Sequence, residues 1–79
     1  MLTTKTITNE QISKLRAEAY EAGDHLQGAI CDLALDGEID TDDYTTLEKD
    51  EARRVRDMSR DEAIAVCVET INAAQAMID

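Results

Sequence analysis

Apolar residues recur at helical spacing through most of this 79-residue chain, and helix start and stop signals divide them into segments. The first start signal is Thr8 followed three residues later by Gln11, a capping-box pattern in which each side chain can bond the other residue's backbone N–H. It predicts a helix from about Asn9 to Ala22, because Gly23 then supplies a C-terminal stop.

A second helix should follow almost at once. Asp24 with Gln27 repeats the capping pattern, and the apolar spacing continues to about Leu35. The pair Asp36-Gly37 then ends the helix. Because only two residues separate the predicted end of the first helix from the start of the second, the chain must turn a sharp corner there.

Two more helices complete the pattern. The third should be capped by Asp40 or Thr41 and end at about Asp57, and its apolar stripe is sparse. Ser59 followed by Glu62 is a capping box for the fourth, which should run to within a residue or two of the chain end.

The composition agrees with helix packing. There is no Trp, Phe or Pro, and the apolar residues are mainly Ala, Ile, Leu, Val and Met. A chain of this length buries only about 60% of its unfolded surface, so its core must be thin. We expect one all-α domain over residues 1–79, a small bundle of about four helices, with residues 1–7 as a flexible tail.

Negative charge is concentrated in one part of the chain. The formal net charge is −10, from 18 acids and 8 bases. No Lys or Arg occurs from Ala17 to Glu48, although this stretch contains ten acids. The rest of the chain therefore contains eight acids and eight bases, and its net charge is zero. An acidic surface repels DNA, RNA and anionic membranes, which predicts no direct binding to any of them and a basic partner protein instead. The ten acids of this stretch are Glu18, Glu21, Asp24, Asp32, Asp36, Glu38, Asp40, Asp42, Asp43 and Glu48.

A run of acids can be a solvated face that serves only solubility, or it can mimic nucleic acid. Carboxylates on rigid helices can present charge at spacings like those of phosphates, and a basic groove built for DNA or RNA would then bind this protein. The segregation of charge favours mimicry. The candidate partner-binding residues are Glu18, Glu21, Asp24, Asp32, Asp36, Glu38, Asp40, Asp42 and Asp43.

The acidic turn also has features of an EF-hand loop. With Asp32 as loop position one, Gly37 falls at position six, where such loops need glycine. Ala34 and Asp43, however, replace a side-chain ligand and the longer bidentate Glu, which predicts no specific metal site. The alternative function is therefore an EF-hand-like, metal-binding helical module. Its ligands would be Asp32, Asp36, Glu38 and Asp40.

Catalysis has little support in the sequence. His25 is the only His, and its place at the start of a helix suits a capping or surface role. The three Gly residues are scattered and form no phosphate-binding loop. We therefore expect a protein that is not an enzyme and has no cofactor.

The two cysteines have neither the density of a disulfide scaffold nor the spacing of a metal site. Cys31 and Cys67 are expected to be small buried hydrophobes, with a disulfide across a dimer as the alternative. The cysteine usage, and a sequence without a signal peptide or membrane-length apolar run, predict a reducing cytoplasm.

The fourth helix is apolar over more than one stripe. It should therefore be either the central element of the bundle or half of a homodimer interface. The candidate interface residues are Ile64, Cys67, Val68, Ile71, Ala74 and Ile78.

Several short motifs are spread over roughly two thirds of the chain. They are Ile7-Thr-Asn-Glu-Gln-Ile12, Leu15-Arg16, Glu18-Ala19, Ala22-Gly-Asp24, Ala29-Ile-Cys-Asp32, Ala34-Leu-Asp-Gly37, Asp61-Glu-Ala and Ile71-Asn-Ala-Ala-Gln-Ala76. This pattern resembles short phage and prophage reading frames of unassigned function. Those frames have a short link after the Gly, whereas this chain inserts about twenty residues from Glu38 to Met58.

In its size and charge the chain also resembles anti-CRISPR proteins, in particular the inhibitors of type I systems, with type I-C as the expected class. The resemblance implies a phage-encoded inhibitor in the host bacterial cytoplasm, whose partner is a nucleic-acid-binding subunit of a CRISPR-Cas complex. It carries no catalytic or binding residues over to this chain. A phage accessory protein without an inhibitor role is a further alternative.

Overall fold

The computed structural model describes residues 2–39 and 47–78. Over these residues the protein has four α-helices and no strand, which confirms the prediction of a small all-α fold. The helices are α1 (Asn9–Glu21), α2 (His25–Asp36), α3 (Lys49–Asp57) and α4 (Arg60–Ile78).

Local capping signals fix where α1 and α4 begin. The Thr8 hydroxyl accepts a hydrogen bond from the Gln11 backbone N–H at 3.2 Å, and the Gln11 side chain accepts one from the Thr8 backbone N–H at 2.9 Å. Both halves of the predicted capping box are therefore present. At α4 the Ser59 hydroxyl accepts from the Glu62 backbone N–H at 3.2 Å, which confirms the predicted start of that helix.

The corner between α1 and α2 is a compact backbone motif. The Asp24 N–H donates to the Ala19 carbonyl at 2.8 Å, and the Gly23 N–H donates to the Tyr20 carbonyl at 3.1 Å. These are the two bonds of a Schellman motif, and the φ of +80° at Gly23 explains the glycine. The Asp24 side chain then accepts from the Gln27 N–H at 3.1 Å and caps α2.

The C-terminal end of α2 contacts the start of α4. The Arg60 Nε donates to the Ala34 carbonyl at 3.1 Å, and its Nη2 donates to the Leu35 carbonyl at 3.5 Å. Such carbonyls have no partner within the helix itself. Arg60 therefore holds the acidic end of α2 against α4.

The central element is α2, which packs against α1, α3 and α4. All residues from 28 to 34 are buried. The sequence also allowed α4 to be the central element, and that alternative is wrong. The side of α2 that contains Asp32 can be buried as well, because Asp32 forms an ion pair with Arg16 of α1. The buried apolar residues are Ile12, Ala19, Ala29, Ile30, Cys31, Leu33, Ala34, Val55, Ala63, Cys67 and Val68.

The third helix is shorter in the described residues than the sequence predicted. It begins at Lys49, and the residue before it, Glu48, makes no side-chain capping hydrogen bond. Asp50 and Glu51 in its first turn favour this start, because negative charge there complements the helix dipole. The predicted caps Asp40 and Thr41 lie outside the described residues.

The N-terminal segment, which the sequence predicts to be a flexible tail, contacts the bundle at Leu2. The Asn72 side chain accepts a hydrogen bond from the Leu2 N–H at 3.1 Å and donates one to the Leu2 carbonyl at 2.8 Å. The Ile7 N–H bonds the Thr3 carbonyl at 3.0 Å, which closes a turn. The Asn72 side chain lies 70 positions from Leu2 in the sequence, so spacing along the sequence could not reveal its two hydrogen bonds to Leu2.

Candidate functional site

The exposed acids of the candidate surface form two clusters, one at each end of α2. The first, which we call the N-terminal acidic cluster, consists of Glu18, Glu21 and Asp24, and all three are exposed. The second, the C-terminal acidic cluster, consists of the exposed Asp36 and Glu38. A helix of 12 residues separates them by about 18 Å. The predicted site residues Asp40, Asp42 and Asp43 lie outside the described residues.

Asp32 does not belong to this surface, and its prediction as an exposed binding residue is corrected. It lies inside α2 with only 5% of its surface exposed. Its carboxylate forms an ion pair with the Arg16 side chain and accepts a hydrogen bond from the Tyr20 hydroxyl at 2.7 Å. A buried charge needs such partners, because an unpaired carboxylate in the core is strongly unfavourable.

The three side chains form a network that joins α1 to α2. The Arg16 guanidinium carbon lies 5.4 Å from the centre of the Tyr20 ring, within cation–π range. Burial alone would lower the pKa of Arg16, but the neighbouring Asp32 charge and its hydrogen bond outweigh that effect and raise it. Arg16 therefore stays charged beside a carboxylate that the sequence pattern had assigned to the acidic surface.

The position of Asp32 also differs from that of the first ligand in an EF-hand loop. In an EF-hand the residues from loop position one onward leave the helix and wrap around the ion. Here Asp32 through Asp36 are all helical, and Asp32 is paired with Arg16. Among the described residues, no group of three or more His, Cys, Asp or Glu side chains is arranged to hold a metal ion.

Several of the exposed acids occupy positions that weaken the helices. Glu18 and Glu21 are in the last turn of α1, and Asp36 is the last residue of α2, while neither last turn contains a basic residue. Negative charge at a helix C-terminus opposes the helix dipole, by about 0.3 to 1 kcal/mol at an exposed position. By contrast, Asp24 has a structural role as the cap of α2. Helix stability therefore does not explain Glu18, Glu21 and Asp36.

The described part of α3 has the opposite charge on one face. Lys49, Arg53 and Arg56 recur at spacings of four and three residues, and with Leu47 and Ala52 they line a shallow cleft of about 260 Å³. A cation-lined cleft on a chain of net charge −10 makes the charge distribution strongly asymmetric.

The candidate dimer residues lie in different environments. Cys67 is fully buried and Val68 is 8% exposed, both within their own chain, so neither can form an interface between copies. Their selection is corrected, since α4 turns this stripe toward α2. Ile64 and Ile71 are half-buried and Ala74 is exposed. The side chain of Ile78 lies outside the described part.

The end of α4 contains an exposed apolar residue that was not among the candidate interface residues. Met77 has 87% of its surface exposed. Leu15, Ile71 and Ala74 contribute to a groove between α1 and α4 with a volume of about 230 Å³, which is also lined by the charged Lys14 and Glu18 and by the polar Gln11, Thr70 and Gln75. The sequence signal was available, because the chain contains no charged residue from Thr70 to Ile78.

No protein-family model, curated protein or solved structure matches this chain. Within residues 2–39 and 47–78, none of the helices has the length and apolar character needed to cross a membrane.

Proposed function

We propose that this protein is a phage-encoded, non-enzymatic inhibitor of the anti-CRISPR type. It binds a basic nucleic-acid-binding surface of a host CRISPR-Cas complex through the two acidic clusters and blocks DNA binding. The observation that carries the proposal is the exposure of Glu18, Glu21 and Asp36 at helix C-terminal ends, where they oppose the helix dipoles. Departures from local stability rules are expected at functional positions.

The geometry of α2 supports binding to an extended basic groove. The helix is central and buried, so it sets a fixed separation of about 18 Å between the two clusters. Charges held on a rigid element need little ordering when they bind, which favours affinity. A nucleic-acid groove offers Lys and Arg side chains over such a length, and its field would steer an acidic protein toward it.

The expected partner class follows from the resemblance to small acidic phage proteins and from the charge. A nucleic-acid-binding subunit of a type I CRISPR-Cas complex, in the host bacterial cytoplasm, has the basic surface that this proposal needs. The basic cleft on α3 would be repelled by such a surface, so α3 should face away from the partner in the complex.

Competition with DNA tests the mechanism. We expect the protein to reduce binding of labelled target duplex to a purified, guide-loaded type I effector complex, and excess target DNA should displace the protein. Fluorescence anisotropy of the duplex measures both directions. Affinity for the effector should fall steeply between 0.01 M and 0.1 M salt, because the Debye length shrinks from about 30 Å to about 10 Å.

Simultaneous binding of DNA and protein, with neither weakening the other, would exclude nucleic-acid mimicry. Failure to bind any nucleic-acid-binding effector subunit would instead favour the accessory-protein alternative, in which the acids serve solubility.

Charge reversal at the C-terminal acidic cluster tests the surface directly. Asp36→Lys with Glu38→Lys should weaken binding to the effector by at least about tenfold, because like charges would then face each other in the interface. The fold should remain, since both residues are exposed, Asp36 as the last residue of α2 and Glu38 two residues after it. Isothermal titration calorimetry measures the affinity, and circular dichroism checks the fold.

The matched control is Asp57→Lys with Glu69→Lys, which changes the net charge equally at exposed positions outside the two clusters. We expect this pair to weaken binding much less. If both pairs weaken binding equally, net charge and not the acidic clusters would account for the affinity.

We expect the predicted homodimer to form through the exposed end of α4 and not through the whole apolar stripe of that helix. Two copies of a chain with net charge −10 repel each other, so a contact between them is least unfavourable where acids are sparse, as in the stretch from Thr70 to Ile78, which contains no charged residue. Light scattering should report twice the monomer mass. The double substitution Met77→Lys with Ala74→Glu should reduce the measured mass to that of one chain. A wild-type monomer at high micromolar concentration would exclude this contact.

A further inference from the structure

Two thiols meet in the core at the contact between α2 and α4. The Sγ atoms of Cys31 and Cys67 lie 3.8 Å apart, although 36 positions separate them in the sequence. Both residues are fully buried and unoxidised. A disulfide between two copies would need an exposed thiol, and the burial of both cysteines within one chain excludes it for the folded protein.

We propose that Cys31 and Cys67 form an intramolecular redox pair, which hydrogen peroxide converts to a disulfide that links α2 to α4. Bonded sulfurs lie about 2.05 Å apart, so each sulfur needs to move by about 1 Å. The inference does not depend on the proposed partner.

The surroundings of the pair distinguish the two thiols chemically. The Gln27 Nε2 donates to the Cys31 Sγ at 3.5 Å. The Thr70 hydroxyl lies 3.4 Å from the Gln27 Oε1, but it makes its shorter hydrogen bond, of 2.9 Å, to the Val66 carbonyl. The hydrogen bond with Cys67 lowers the pKa of Cys31 by more than burial raises it. The same hydrogen bond, followed by burial, raises the pKa of Cys67. Because Gln27 also donates a hydrogen bond to its sulfur, the Cys31 thiolate is the better stabilised of the two, and Cys31 should react first.

The chemistry balances with peroxide as the two-electron oxidant. The Cys31 thiolate attacks one peroxide oxygen, the O–O bond breaks, and the products are Cys31 sulfenic acid and hydroxide, which takes up the Cys31 proton. The Cys67 sulfur then attacks the sulfenic sulfur. The S–O bond breaks, the S–S bond forms, and the hydroxyl leaves as water with the Cys67 proton. Two thiols and one peroxide become one disulfide and two waters.

Burial of both thiols predicts slow oxidation that is limited by local opening of the bundle. A disulfide across such a long loop removes much of the freedom of the unfolded chain. Oxidation should therefore raise the melting temperature by about 10 °C or more, and dithiothreitol should reverse the shift.

The experiment treats the full-length protein with hydrogen peroxide and follows it by intact mass, thermal unfolding and tryptic mapping. We expect a loss of about two mass units, a product with the covalent mass of a single chain, and a cross-link between peptides 17–49 and 61–79, each of which contains one cysteine. Gln27→Met should reach the same product more slowly, because the thiolate loses a donor. Cys67→Ala should gain one oxygen without the thermal shift.

Three results would overturn the proposal: peroxide adducts on both cysteines without the cross-linked peptide, a disulfide only between chains, or a disulfide product that melts below the reduced protein. All three are read on the wild-type chain, so a variant that fails to fold cannot hide the outcome.

Discussion

Replacement of Asp32 by Ala should lower the free energy of unfolding by about 2 to 3 kcal/mol. The change leaves Arg16 without its buried partner and the Tyr20 hydroxyl without this hydrogen bond to Asp32. The expected loss is below the range for fully buried pairs, because the Arg16 side chain is 48% exposed and water can solvate it in part. Urea denaturation followed by circular dichroism measures the loss, provided that the denaturant slope is unchanged.

Two variants separate the contributions. Asp32→Asn keeps the shape and can still accept from the Tyr20 hydroxyl, so we expect a smaller loss than for Ala. Asp36→Ala, an exposed acid on the same helix, should change stability by no more than about 0.5 kcal/mol. Equal losses for Asp32→Ala and Asp36→Ala would contradict a buried ion pair.

This prediction also separates stability from binding. Asp32 lies one turn from Asp36 in α2, yet only Asp36 faces solvent. Under the proposed function, Asp32→Ala should weaken binding to the effector only through its unfolded fraction. The folded protein should retain its affinity, whereas the charge reversal at Asp36 and Glu38 should weaken binding by a protein that is fully folded.

Gly28→Ala should destabilise the protein by about 1 to 3 kcal/mol, although Ala forms helices better than Gly by about 1 kcal/mol. A Cβ at this position would lie 2.6 Å from the Tyr20 Cζ and 2.7 Å from its Cε1. The ring cannot move away easily, because its hydroxyl is bonded to Asp32 and Arg16 packs over its face. Thermal and urea unfolding measure the change.

A double-mutant cycle identifies the cause. In a Tyr20→Ala background, Gly28→Ala should become neutral or stabilising, because the steric conflict is gone and only the helix preference remains. If Gly28→Ala destabilises both backgrounds equally, Tyr20 does not determine the need for glycine at this position.

The sequence by itself determined the helical class and most helix ends. Thr8 with Gln11, Gly23 and Ser59 with Glu62 all act over three to five residues, through hydrogen bonds between near neighbours in the chain. Such local interactions are the same in any fold that contains the helix, so the pattern is sufficient to predict them. The concentration of acids and the charge-free end of α4 are likewise properties of the sequence.

Only the tertiary structure decided which acid is internal, which helix is central and where the thiols lie. Tyr20 and Asp32 are 12 positions apart, and Cys31 and Cys67 are 36 apart. Contacts over such separations depend on the direction in which each corner sends the next helix, and no local pattern encodes that direction. The acidic stretch looked uniform in the sequence, because a buried Asp and an exposed Asp are the same residue type there. Packing of α1 against α2 places Arg16 and Tyr20 beside Asp32, and this contact makes its burial in the core possible.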